Sequence, residues 1–148
     1  MSATTLPMLD EPKAGRLTIQ YGPTVETDVT ENPPRFTWIP VIEDDAAYVL
    51  RVSSDKGFSK AKTQVYGNIP LNFFTPDAVL EPGEYHWSYA IWNADKGQPA
   101  SQWSSTRSFT VADGLAETPL PSRDARLAKV TKDHPRLWMA NDRLPDFI

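Results

Sequence analysis

Apolar and polar residues alternate along most of the chain between positions 16 and 111, the period-of-two pattern of half-buried strands. Leu17, Ile19 and Tyr21 alternate with Thr18 and Gln20. Phe36 and Trp38 alternate with Arg35 and Thr37, and Pro40 closes that strand because it has no N–H to donate to a ladder. Tyr48, Leu50 and Val52 share one face, with Val49, Arg51 and Ser53 on the other. Residues 63–69 and 72–75 supply two further short strands. The longest run is 84–93, with Tyr85, Trp87, Tyr89 and Ile91 on one face and Glu84, His86, Ser88, Ala90 and Trp92 on the other. Phe109 and Val111 mark a last strand over 107–111. Stiff or charged turns separate these pieces: Glu31-Asn32-Pro33-Pro34, Glu43-Asp44-Asp45, Asp55-Lys56-Gly57 and Asp95-Lys96-Gly97. About seven strands at this spacing predict an all-β fold, a two-sheet antiparallel sandwich.

The alternation lapses after Val111. Residues 113–132 mix prolines, serine and charges without a period and read as an extended linker, while residues 1–15 form an arm ahead of the sandwich at 16–112. Apolar bulk returns in Leu137, Trp138 and Met139, and Asn141 or Asp142 can cap a helix whose first buried positions are Phe147 and Ile148. A chain ending one turn into an amphipathic helix is expected to be cut there, with more to follow.

Composition narrows the chemistry. The 148 residues hold no cysteine, which excludes disulfides, thiolate zinc sites, iron–sulfur clusters and cysteine nucleophiles. Only His86 and His134 are available for histidine chemistry. A net charge of -4 argues against a nucleic-acid partner. The N-terminal residues lack a basic region followed by an apolar one, and no run is long enough to span a membrane, so the expected location is cytoplasmic, or periplasmic if a leader has been removed. The excess lies in rings and prolines: 5 Trp, 5 Tyr, 6 Phe and 14 Pro beside only 7 Gly. Short strands joined by stiff loops account for that mixture.

Two sets of residues carry a resemblance. Trp38, Tyr48-x-Leu50-x-Val52, Leu80-x-Pro82-Gly83-x-Tyr85, Trp87-x-Tyr89-x-Ile91, Gln102-Trp103-Ser104 and Arg107-Ser108-Phe109 together resemble a fibronectin type III sandwich. Tyr85 stands where such sandwiches place a tyrosine whose hydroxyl bonds back to nearby backbone. In addition, Leu9-Asp10-Glu11-Pro12, the segment from Glu31 to Trp38, Asn72-Phe73-Phe74-Thr75-Pro76 and Asp133-His134-Pro135-Arg136-Leu137-Trp138 resemble, in that order, the N-terminal region of heparinase II/III-like polysaccharide lyases of the oligoalginate lyase type. The resemblance implies a small β-sandwich ahead of an α/α toroid and a large β-sheet domain, with residues 133–148 opening the toroid. It implies β-elimination on uronic-acid polymers by residues of those later domains, so no catalytic, cofactor-binding or metal-binding residue is carried onto this chain. The implied partners are the remaining domains of the same polypeptide and a uronic-acid oligosaccharide.

The residues with chemical potential divide accordingly. Trp92, His134, Arg136, Leu137 and Trp138 are candidates for a domain interface, exposed apolar side chains being a mark of one. Trp92 and Trp103, outside the core pattern, are candidates for stacking on sugar rings, which keeps open a free-standing carbohydrate-binding module or a protein-interaction domain. His86 with Ser88 could suggest a nucleophilic pair, but no strand-to-helix elbow accompanies them. Glu43, Asp44 and Asp45 read as a solvated turn rather than a metal or glycosidase site.

Overall fold

A computed structural model describes residues 5–16, 20–41 and 46–130. It is an all-β antiparallel sandwich. Seven strands are present among the described residues: β1 (Phe36–Thr37), β2 (Tyr48–Ser53), β3 (Thr63–Ile69), β4 (Phe73–Phe74), β5 (Gly83–Asn93), β6 (Gln98–Pro99) and β7 (Arg107–Val111). The main sheet runs β3-β2-β5, and the far edge of β5 is shared by β6 at one end and β7 at the other. The second layer is small. It consists of β1 paired with β4, extended by a bridge between Gly22 and Thr37.

The alternation placed the core correctly. Tyr48, Leu50 and Val52 of β2 stand opposite Ile91, Tyr89 and Trp87 of β5, and all but half-buried Ile91 are closed to solvent. Phe36 and Trp38 of the second layer drop onto them. Trp38 stacks on Tyr89 at 5.3 Å between centroids, and Phe36 meets Trp87 and Phe109 edge-on at 5.5 and 5.6 Å. Aromatic pairs of this kind add about 0.5–1.5 kcal/mol each beyond their area burial. The Tyr85 hydroxyl donates to the carbonyl of Glu81 at 3.0 Å, the backbone contact its position called for.

Two details differ from the sequence reading, and one expected strand is largely beyond test. The expected strand at 17–21 lies mostly outside the described residues, although Gly22 exchanges backbone bonds with Thr37 at 3.1 and 2.8 Å, just beyond it. The short β6 was not foreseen, because two residues carry no period. The stretch expected to be extended holds a helix, α1 (Arg123–Ala128), whose N-cap Ser122 accepts from the amide of Ala125. None of its residues is buried, so capping rather than an apolar stripe supports it, and no amphipathic pattern announced it. The residues expected to open a toroid, 133–148, and the acidic turn at 43–45 lie outside the described residues.

Residues 6–12 of the N-terminal arm are part of the sandwich. The carbonyls of Leu6 and Pro7 accept from the side chain and the backbone amide of Gln102. Leu9 packs against the core. The Glu11 carboxylate accepts from the Ser105 amide at 2.9 Å and pairs with Arg107 at 2.7 Å, while the Arg107 guanidinium lies 3.9 Å above the Tyr21 ring. Tyr21 in turn donates to the carbonyl of Pro12. Burial opposes the charge on Glu11, but the Ser105 amide and Arg107 outweigh it and hold its carboxyl below the ordinary value of 4.5. A depressed native pKa contributes stability above the unfolded value and loses it as pH falls through the native one. Glu11→Gln should therefore lower the melting temperature at neutral pH and converge with wild type in acid below 4.5, a crossover that thermal melts at stepped pH would read.

Candidate functional site

The outer face of the main sheet carries the residues that the sequence reading singled out. Val49, Arg51 and Ser53 of β2 are in register with Ala90, Ser88 and His86 of β5, and Trp92 continues the row. Most of this face is covered: Val49, Ala90, Ser53 and Ser88 are buried. The cover is aromatic, and it comes from three separate places in the chain.

Trp92 is the first cover. It is half-buried, and a Cβ added at Gly67 of β3 would stand 2.9 Å from its Cη2. The ring therefore spans β2 and rests on the bare backbone of Gly67. This close approach is helped by a bulge in β3: Tyr48 pairs with Ile69 but Leu50 with Tyr66, so Gly67 and Asn68 together oppose Val49, with Asn68 at φ 55°. Gly67→Ala should push the ring off the sheet. The expected result is a loss of about 1 kcal/mol of stability and a red-shifted tryptophan emission, measured by denaturant unfolding and fluorescence.

Trp103 is the second. It sits on the irregular stretch between β6 and β7, where the regular ladder with β5 lapses although the amides of Ala100 and Ser104 still donate to the carbonyls of Ile91 and Tyr89. Two buried serines replace the missing acceptors: Ser101 Oγ accepts from the amide of Ile91 and Ser104 Oγ from that of Tyr89, both at 3.0 Å. With both hydroxyls turned to β5, Trp103 reaches the outer face and lies 4.2 Å from the Arg51 guanidinium.

Phe58 is the third, its ring centroid 3.8 Å from the same guanidinium. Phe58 holds φ 54°, a left-handed conformation that costs a side-chain-bearing residue about 1 kcal/mol or more. Its loop is over-determined. The Asp55 carboxylate accepts from the amides of Gly57 and Ser59, Ser53 Oγ accepts from the Asp55 amide, and Thr63 Oγ1 donates to the carbonyl of Ser59. Hydrogen bonds from Ser59 and Gly57 hold the Asp55 carboxyl below its ordinary pKa.

Arg51 is thus in contact with two rings, and its Nε donates to the buried Ser88 Oγ at 2.7 Å. Burial pulls its pKa below the usual arginine value, with no carboxylate contributing to offset it. The sequence reading placed Arg51 on this face but gave it no role and did not weigh Phe58. The available signal was an arginine at an outward-alternating position next to Asp55-Lys56-Gly57-Phe58, where an aromatic follows a tight turn.

The remaining candidates resolve as follows. Ser88 is closed to solvent and engaged by Arg51, and His86 Nε2 lies 3.8 Å from Glu84 Oε1, so the two do not form a nucleophilic pair. His134, Arg136, Leu137 and Trp138 lie outside the described residues. Among the described residues no helix is long and apolar enough to cross a membrane. A separate apolar groove opens where β3 leads into β4, lined by Ile69, Leu71, Phe73, Phe74, Leu120 and Arg35. Leu71, Phe73 and Leu120 are 51%, 44% and 44% exposed there. In comparisons with known proteins, the chain matches no family model and no curated protein.

Proposed function

We propose that this chain is a non-catalytic β-sandwich module of a heparinase II/III-like polysaccharide lyase, bracing the toroid that would cleave uronic-acid polymers by β-elimination. The observation that carries this reading is the exposed groove of Leu71, Phe73 and Leu120. Its last member lies on the segment that leads from the sandwich toward residue 131, where apolar surface left open is suited to cover by another part of the same polypeptide. The side chains of the outer face support the non-catalytic half of the reading, because Ser88, Arg51 and both tryptophans are engaged in packing the sheet. Incubated with alginate oligosaccharides, residues 1–148 alone should not generate the ultraviolet absorbance of unsaturated uronates. A longer polypeptide from the same gene should generate it, and Phe73→Ser should lower that polypeptide's melting temperature. Elimination by the short chain would overturn the non-catalytic assignment, and a stop codon directly after Ile148 would overturn the bracing role.

A second reading is a free-standing carbohydrate-binding module, favoured by Trp92 and Trp103 lying half-buried on one sheet face. Titration of uronate oligomers against tryptophan fluorescence separates the two, since binding lost in Trp92→Ala belongs only to the second.

A further inference from the structure

The Arg51 stack has an unfilled half. Of the guanidinium's three nitrogens, Nε is bonded to Ser88 Oγ, and the central carbon lies over the rings of Phe58 and Trp103. Among the described residues no hydrogen bond or ion pair reaches its two terminal nitrogens. A half-buried cation is costly unless it is paired, and a guanidinium edge is shaped to take an oxyanion through two parallel N–H···O bonds. The stack holds that edge in one orientation in advance, removing much of the ordering cost that an arginine pays on binding.

The surroundings point the same way. Between positions 51 and 62 four cations, Arg51, Lys56, Lys60 and Lys62, stand against the single carboxylate of Asp55, in a chain that is acidic overall. Asp55 is committed to the amides of Gly57 and Ser59, so it serves the loop rather than the arginine. The same loop keeps Phe58 in a left-handed conformation that nothing in the packing of the core requires. Backbone strain retained by an over-determined loop is a feature of sites.

We propose that the terminal nitrogens of Arg51, walled by Phe58 and Trp103, form a binding site for a carboxylate, borne either by an acidic sugar or by a free small acid. The site is independent of the bracing role and of sugar stacking on Trp92.

The test is a titration of the chain with sodium glucuronate, sodium acetate, glucose and sodium sulfate at constant ionic strength, following the Arg51 side-chain N–H signals by NMR. The expected result is a saturable shift in the millimolar range with a carboxylate and none with glucose. Tighter saturation by glucuronate assigns a sugar-borne carboxylate, and tighter saturation by acetate a free acid. Arg51→Lys keeps the charge without the fork and should weaken binding about tenfold, the worth of one good charge-assisted pair. Phe58→Gly suits the positive φ and so keeps the loop, but removes one wall, and should weaken binding severalfold. No saturable shift with either acid would overturn the proposal in the wild-type chain itself, whatever the variants do. So would equal affinity in Arg51→Lys, sulfate bound more tightly than both acids, or binding of a poly-glutamate peptide alone.

Discussion

Trp87→Ala is expected to cost about 4 kcal/mol, close to the whole stability of many domains this size. Trp87 is closed to solvent at the centre of β5, meets Phe36 edge-on, and lies 5.4 Å beneath the Arg107 guanidinium. Its indole Nε1 donates to the carbonyl of Pro23 at 2.7 Å, which ties β5 to the segment leading into the second layer. Truncation therefore opens a cavity between two layers and strips a buried carbonyl of its partner. Trp92→Ala makes the same chemical change five residues along the same strand, on the face away from the core. Its ring is partly wet and rests on Gly67, so about 1–2 kcal/mol is expected. Denaturant unfolding of the two variants should separate them by more than twofold in lost stability. Equal losses would mean that the outer aromatic cover contributes as much as the core.

The second large effect belongs to Asn32. Its side chain is buried and bonds both ends of one peptide position 48 residues away: Nδ2 donates to the Leu80 carbonyl at 2.7 Å, and Oδ1 accepts from the Leu80 amide at 2.8 Å. Its own backbone bonds Ala116 and Thr118 at 2.9 and 2.7 Å, so one residue joins three loops at the end of the sandwich. Asn32→Ala would leave a buried donor and a buried acceptor without partners, at about 1–3 kcal/mol each, so a total near ~3 kcal/mol is expected. Asn32→Asp gives the sharper test. An ionised carboxylate still accepts from the Leu80 amide but faces the Leu80 carbonyl with a second oxygen. Once protonated it can donate again, so the deficit relative to wild type should shrink as pH falls. A deficit independent of pH would mean that the Leu80 carbonyl finds its partner elsewhere.

The legible and the illegible parts divide along physical lines. Tyr85, Trp87 and Tyr89 were assigned to the core, and Trp92 to the face opposite, because a strand's side chains alternate whatever its neighbours are. The same rule put Arg51 on the outer face. It could not say what meets the guanidinium, since Phe58 comes from a loop seven residues on and Trp103 from a stretch more than fifty residues on. Ser101 and Ser104 were equally opaque. Serine has no strong pattern of its own, and only the lapse of β6–β7 pairing along β5 makes two hydroxyls into ladder acceptors. The N-terminal arm read as a separate segment because its anchors are single carbonyls and one carboxylate, bonded to residues some ninety positions later.

The sequence by itself thus determined an all-β sandwich and the faces of its long strands. Local sterics and the period of two suffice for these. Tertiary structure alone decided that Trp92 lies on Gly67, that Asn32 grips Leu80, that Glu11 closes the arm onto Arg107, and that Arg51 meets two rings and Ser88. Each of those depends on which distant backbone segments come within a few ångströms, and chain pattern carries no information about that separation.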